Sequence, residues 1–124
     1  MYTIEFYKDS RGREPVYEYL DELSKKNDKN SRINYNKAIK YIQKLCDDGT
    51  KAGMPFIRHL DGAIWELRPI NERILFVAWI NGSFLLLHHF TKKTQTTPVQ
   101  EIETAKNRLN DYIERSKQND RRIY

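Results

Sequence analysis

A single cysteine, Cys46, excludes an intrachain disulfide in this 124-residue chain and fits a cytosolic, reducing setting. It falls inside a helical apolar pattern, where a thiol acts as a small buried hydrophobe rather than a nucleophile. Three histidines and one cysteine, with no CxxC or HExxH spacing, leave no metal motif. Nothing in the sequence asks for a cofactor. No apolar run approaches the length of a membrane span, so no membrane partner is expected. The opening MYTIEFYKDS turns polar too soon to act as a signal peptide. No internal repeat or low-complexity segment is visible. These absences leave a single domain over residues 1–124, with 116–124 read as a polar, basic, flexible tail.

What is present is charge. The chain is 39% hydrophobic, 12% aromatic and 31% charged, with a net charge of +5 and a pI of about 9.3. A core of modest size is affordable, and the basic balance favours an anionic partner such as nucleic acid or an acidic protein surface.

The apolar residues concentrate in Ile57 to Lys93. Asp61-Gly62 and Asn81-Gly82 are dipeptides suited to type I′ hairpin turns. Between and beyond them lie Ala63–Arg68, Arg73–Ile80 and Ser83–Phe90, rich in aliphatic and aromatic residues, which read as strands. Before this stretch, Tyr2–Tyr7 alternates like a strand. Pro15, Val16, Leu20 and Leu23 mark a helix over Glu14–Leu23. Tyr35, Ala38, Ile39, Ile42, Leu45 and Cys46 mark a second over Ser31–Asp48, capped by Gly49. After the sheet, Thr97-Pro98-Val99-Gln100 reads as a capping box, followed by a stripe of Val99, Ile102, Ala105, Leu109, Tyr112 and Ile113. The order β-α-α-β-β-β-β-α describes an α+β fold: a small antiparallel sheet with two N-terminal helices and a C-terminal helix. The position of the first strand in that sheet stays open.

The cations of the sheet are the candidates for chemistry. Arg73 is either paired to Glu66 or Glu72, or an anion clamp offering a planar fork to phosphate. Lys92 and Lys93 end the last strand. Counting back from a two-residue Asn81-Gly82 loop pairs Arg73 with about Phe90, so the lysines fall near its register. His88 and His89 point to opposite faces, because consecutive strand residues do. His59 stands before the Asp61-Gly62 turn. A cationic cluster without a carboxylate pair or a Ser-His-Asp signal suits RNA cleavage by transesterification. There the 2′-hydroxyl attacks the neighbouring phosphate, and the protein supplies alignment, charge and proton transfer.

The strings HLDGAIWELR, RILFVAW, LLHHFTKKTQTTP and VQEIETA resemble the phage-derived branch of HigB toxins, in the RelE/ParE superfamily. The WELR-x₄-RILF spacing and the FTKKTQTTP-xx-EI segment carry the resemblance, over about Phe6 to Ile113. It implies a RelE-like fold and a ribosome-dependent endoribonuclease that cuts mRNA in the ribosomal A site and halts translation. It implies a metal-independent transesterification with no cofactor. The partners it implies are a HigA-type helix-turn-helix antitoxin, mRNA and ribosomal RNA, with operator DNA reached only through the antitoxin. The family's sheet arginine falls on Arg73 and its basic pair on Lys92 and Lys93, with His88 beside them as a catalytic candidate. Arg68, His89, His59 and Lys51 are the expected RNA contacts. ParE-type relatives inhibit gyrase on the same fold, so a non-catalytic inhibitor of gyrase or a ribosomal-RNA binder is the alternative. The tyrosines Tyr17, Tyr19, Tyr35 and Tyr41 on the N-terminal helices suggest where an antitoxin docks.

Overall fold

Glu72–Ala78 (β4) is buried on both faces over ERILFV, and this double burial organises the molecule in the computed structural model, which describes residues 1–123, with side chains described except at 80 and from 118 onward. An apolar run with no polar alternation belongs in the middle of a sheet covered on both sides. The sheet order is β1-β5-β4-β3-β2, where β1 is Thr3–Phe6, β2 Ile57–Asp61, β3 Ile64–Leu67 and β5 Ser83–Thr91. The helices are α1 (Pro15–Lys25), α2 (Lys29–Asp48) and α3 (Val99–Ile123). The element order read from the sequence is the one found. One pairing corrects the antiparallel expectation: β1 lies parallel to β5, with Thr3 opposite Ser83, so the sheet is mixed. The long α1–α2 excursion between β1 and the rest permits that crossover.

Two cores sandwich the sheet. Val16 and Leu20 of α1 and Ala38 and Leu45 of α2 pack on Leu67, Ile74, Phe76 and Leu86. On the other face Ala105, Leu109 and Tyr112 of α3 pack on Ile64, Leu75, Val77, Leu85 and Leu87. Several apolar positions fall short of full burial: Ile39 and Val99 are exposed, and Cys46 is half-buried. Burial pushes the Cys46 thiol above its ordinary value, so it stays protonated. The helix α2 begins two residues before the expected Ser31, because the Asp28 carboxylate accepts from the Ser31 amide and caps it. Gly49 closes α2 at φ +62, and a Cβ there would lie 2.7 Å from the Tyr2 ring. Helical backbone continues past Ser116 to Ile123, and Tyr124 lies outside the described residues.

Both hairpins differ from the simple count. In the first, Asp61 pairs Ile64, so Gly62 and Ala63 form the loop rather than Asp61-Gly62, and Leu60 is displaced from the ladder. In the second, the Trp79 amide donates to the Ser83 carbonyl, which makes Ile80–Gly82 a three-residue loop with Asn81 left-handed. That would shift the register by one, but Leu75 pairs His88 while Phe76 pairs Leu86, leaving Leu87 as a bulge. The two irregularities cancel, and Arg73 pairs Phe90 as counted.

Candidate nucleic-acid interface

One end of the sheet gathers the start of β2, the end of β3, the start of β4 and the end of β5. Period-two alternation puts Arg58, Glu66, Arg68 and Arg73 on the face toward α3 there. The Glu66 side chain is 1% exposed. Its Oε2 accepts from Arg68 at 2.8 Å and lies 3.3 Å from Arg58. Its Oε1 accepts the Thr97 hydroxyl at 2.6 Å and lies 3.6 Å from Arg73 Nε. Three guanidiniums thus share one carboxylate. A buried charge needs such partners, but here the positive side is in excess by two.

The three arginines are not equivalent. Arg73 is 5% exposed, and its Nη1 donates to the carbonyls of Ile70 and Glu72 at 2.9 and 2.7 Å. Burial pulls its guanidinium below the ordinary value, with Glu66 opposing. Ile70 holds its carbonyl toward Arg73 from φ +54, a conformation that costs a β-branched residue about 1–3 kcal/mol. Arg68 is 17% exposed and Arg58 42%. Arg73 makes the ion pair with Glu66, and the side chains that reach solvent are Arg58 and, in part, Arg68.

Lys92 and Lys93 stand at the same end. The Lys92 amide donates to the Asn71 carbonyl at 2.7 Å, which ties it to the turn before β4. Lys92 is half-buried and Lys93 exposed. Neither ammonium makes an ion pair among the described residues. Lys93 borders a cleft of about 370 Å³ with Phe90, Thr91, Thr94, Pro98 and Glu101.

The histidines separate. His88 faces α3, with Nε2 2.8 Å from Glu101 Oε1 and Nδ1 3.0 Å from Arg108 Nη1. A guanidinium has only donors, so Nδ1 accepts and Nε2 carries the proton it donates to Glu101. Burial lowers the His88 pKa; Glu101 opposes this and Arg108 reinforces it. The ring is therefore neutral and both its nitrogens are engaged. His89 lies on the opposite face, stacked on Tyr19 at 4.0 Å. The Tyr19 hydroxyl in turn donates to Glu72 at 2.8 Å. His59 turns to that face as well: its Nε2 donates to the Gly62 carbonyl at 2.7 Å and its ring meets the edge of Trp65. Lys51 sits beside Tyr2 and Gly82, at the end of the sheet where β5 begins. Of the expected RNA contacts, Arg68 alone shares a surface with Arg73 and the lysines.

The model of the family described as Phage derived protein Gp49-like (DUF891) matches residues 18–110, from within α1 to within α3. The chain belongs to this family. Every residue of the arginine cluster, the lysine pair and the His88 network falls inside the Gp49-like match. The Gp49-like family is RelE/toxin-like, and the five-stranded mixed sheet with three helices is consistent with a small RelE-like fold. Among curated proteins, none is significantly similar to the chain.

Within this Gp49-like site, Arg58, Thr97, Glu101 and Arg108 were not singled out from the sequence. For Arg58 a signal existed: it precedes a hairpin that folds it back on Glu66. The simple count pairs it with Trp65 instead: the loop at Gly62-Ala63 shifts the register by two, and the displaced Leu60 takes one back. Thr97 reads locally as a helix cap, yet its hydroxyl goes to Glu66 and α3 begins at Val99. Glu101 and Arg108 meet His88 only through the packing of α3, which no local pattern announces.

Proposed function

We propose that this chain is the toxin of a type II toxin–antitoxin system: a HigB-type, ribosome-dependent mRNA endoribonuclease, silenced by a HigA-type helix-turn-helix antitoxin. The observation that carries the reading is the two-charge excess of guanidinium over carboxylate at the Glu66 cluster, beside two lysines with no ion pair among the described residues. RNA phosphate is the ligand such a surface attracts, and a guanidinium fork matches its oxygens. The reaction needs no metal. Arg58 and Arg68 hold the scissile phosphate in line with the 2′-hydroxyl. Lys93, the solvent-exposed ammonium of the cleft, neutralises charge building on the phosphorane and reaches the leaving 5′-oxygen. Arg73 acts from behind, keeping Glu66 and its neighbours in place. The antitoxin docks on the helical side, where Tyr17 is exposed and Tyr35 half-buried, rather than around Tyr19 and Tyr41, which pack inward.

The test is a purified translation system programmed with a defined mRNA. The expected result is a cut in the A-site codon, yielding a 2′,3′-cyclic phosphate and a 5′-hydroxyl, only when ribosomes are present. Full translation with intact mRNA overturns the reading.

A second reading rests on the engagement of both His88 nitrogens and the enclosure of Arg73: a non-catalytic inhibitor that binds gyrase or ribosomal RNA. It expects arrest of DNA supercoiling or of translation with every mRNA left whole.

A further inference from the structure

The Arg108–His88–Glu101 chain has a direction. Arg108 Nη1 donates both to the Leu87 carbonyl at 2.9 Å and to His88 Nδ1. That fixes His88 as the Nε2–H tautomer, which donates to Glu101 Oε1. The inner end is enclosed and the outer end is not: the Glu101 side chain is 30% exposed. Glu101 borders the cleft that also holds Lys93 and Phe90. Lys93 and Glu101 form no ion pair, so the cleft keeps an ammonium and a carboxylate apart. The arginine cluster adjoins it twice. Phe90 is the ladder partner of Arg73, and Thr97, next to Pro98 of the cleft, is bonded to Glu66. A buried, neutral imidazole aimed at a half-exposed carboxylate holds that carboxylate in one orientation, which helix packing alone does not require.

We infer that Glu101 is the proton acceptor for RNA cleavage in this chain, with His88 and Arg108 as its positioning residues; this rests on the endoribonuclease reading above. In the step, the 2′-hydroxyl gives its proton to the free Oε2 of Glu101 while O2′ bonds to phosphorus. The P–O5′ bond breaks, and the leaving 5′-oxygen takes a proton from the Lys93 ammonium. The products are the 2′,3′-cyclic phosphate and a 5′-hydroxyl. Water then returns a proton to Lys93 and removes one from Glu101. The charged and titratable groups facing Glu101 are His88 of β5, Arg108 through that ring, and Lys93 across the cleft. His88 itself is no proton carrier here, since neither nitrogen is free.

The experiment compares the full-length chain with Glu101→Gln in ribosome-programmed mRNA cleavage. Glutamine keeps an oxygen for the His88 Nε2–H and removes the base. Single-turnover cleavage should fall by about a hundredfold or more, with ribosome affinity unchanged and the acid limb of the pH–rate profile gone. A substrate with sulfur in place of the bridging 5′-oxygen, whose leaving group needs no acid, should rescue Lys93→Ala but not Glu101→Gln. His88→Gln should lower kcat without raising KM. Cleavage by Glu101→Gln within about threefold of the parent, with the same pH profile, overturns the assignment and leaves the endoribonuclease reading standing. Rescue of Glu101→Gln by the sulfur substrate overturns it too, since Glu101 would then act as the acid. A parent protein that leaves mRNA uncut overturns both. Should Glu101→Gln melt well below the parent, Glu101→Asp with the sulfur substrate gives the same decision.

Discussion

The Thr97 hydroxyl donates to Glu66 at 2.6 Å, joining the entry to α3 to the carboxylate that three arginines share. Thr97→Val removes that donor from a carboxylate buried at 1% exposure, and should cost about 1–3 kcal/mol. Thr97→Ser should keep most of the stability. Glu66→Ala leaves the guanidiniums with no carboxylate between them and should cost about 3–5 kcal/mol. In thermal melts each kcal/mol corresponds to roughly 3–6 °C for a domain of this size. Equal melting of Thr97→Val and Thr97→Ser would count against the hydroxyl.

Arg58 and Arg73 should fail differently. Arg73 is enclosed and bonded to two carbonyls, so Arg73→Ala should lower the melting temperature as well as RNA binding. Arg58 is 42% exposed; Arg58→Ala should melt within a few degrees of the parent. It should weaken RNA binding and reduce the slope of log affinity against log salt by about 1. A native-like melt for Arg73→Ala would show that its enclosure contributes little.

Lys93→Ala should reduce toxicity more than Lys92→Ala. Lys93 borders the cleft with Glu101, whereas Lys92 is half-buried and tied through its backbone to Asn71. Induction of each variant in a growth assay ranks them, and the reverse order would move the reacting phosphate toward Asn71.

Stability should fall as the solution is acidified through 6.5. Burial lowers the pKa of both His88 and His89 from 6.5 in the folded chain. For His89, His88 and Arg108 push the same way, against Glu72 and Glu22. The unfolded chain therefore binds protons first. The stability is present above 6.5 and is lost as pH drops below it toward the folded values. The Nδ1 of His89 has no hydrogen-bond partner among the described residues, so His89→Phe can keep the stack on Tyr19. Melting temperatures from pH 7.5 to 5.5 should fall less steeply for His89→Phe than for the parent; identical slopes refute the assignment.

Phe76→Ala should be the most disruptive aromatic truncation, at about 3–5 kcal/mol, because Phe76 is fully buried. Trp65 and Trp79 are both half-buried at the margins of the two cores. Trp65→Ala and Trp79→Ala should each cost less than Phe76→Ala in chemical denaturation, and an inverted ranking would contradict the burial seen here.

The parts of this molecule that were legible in the sequence are those set by local periodicity. The apolar stripe through Val16 and Leu20, the unbroken run of β4 and the glycine after α2 each dictate an element within a few residues. The parallel seat of β1 depends on a pairing across the whole chain, and nothing near Tyr2 encodes it. At the site, Arg68, Arg73 and the lysines were visible because strand register converges them. His88 and His89 were correctly separated by face, but their partners Glu101, Arg108 and Tyr19 come from helices whose rotation about their own axes only packing sets. Lys51, placed with the RNA contacts, lies at the far end of the sheet because the tight turn Gly49–Ala52 after α2 leads back toward Tyr2 rather than toward the arginines.

The bulge at Leu87 has a consequence for where oil meets water in this protein. A regular strand shows any one helix every second side chain, so a polar residue on the covered face is separated from the last apolar one by a residue pointing away. The extra residue in β5 gives α3 two in succession, Leu87 among the apolar side chains of its core and His88 against Glu101. The frontier between a dry interior and a polar, hydrogen-bonded surface is thereby drawn between two adjacent residues of one strand. The same unpaired residue presents its carbonyl to Arg108, so the irregularity that creates the frontier also anchors the side chain that orients its first polar member.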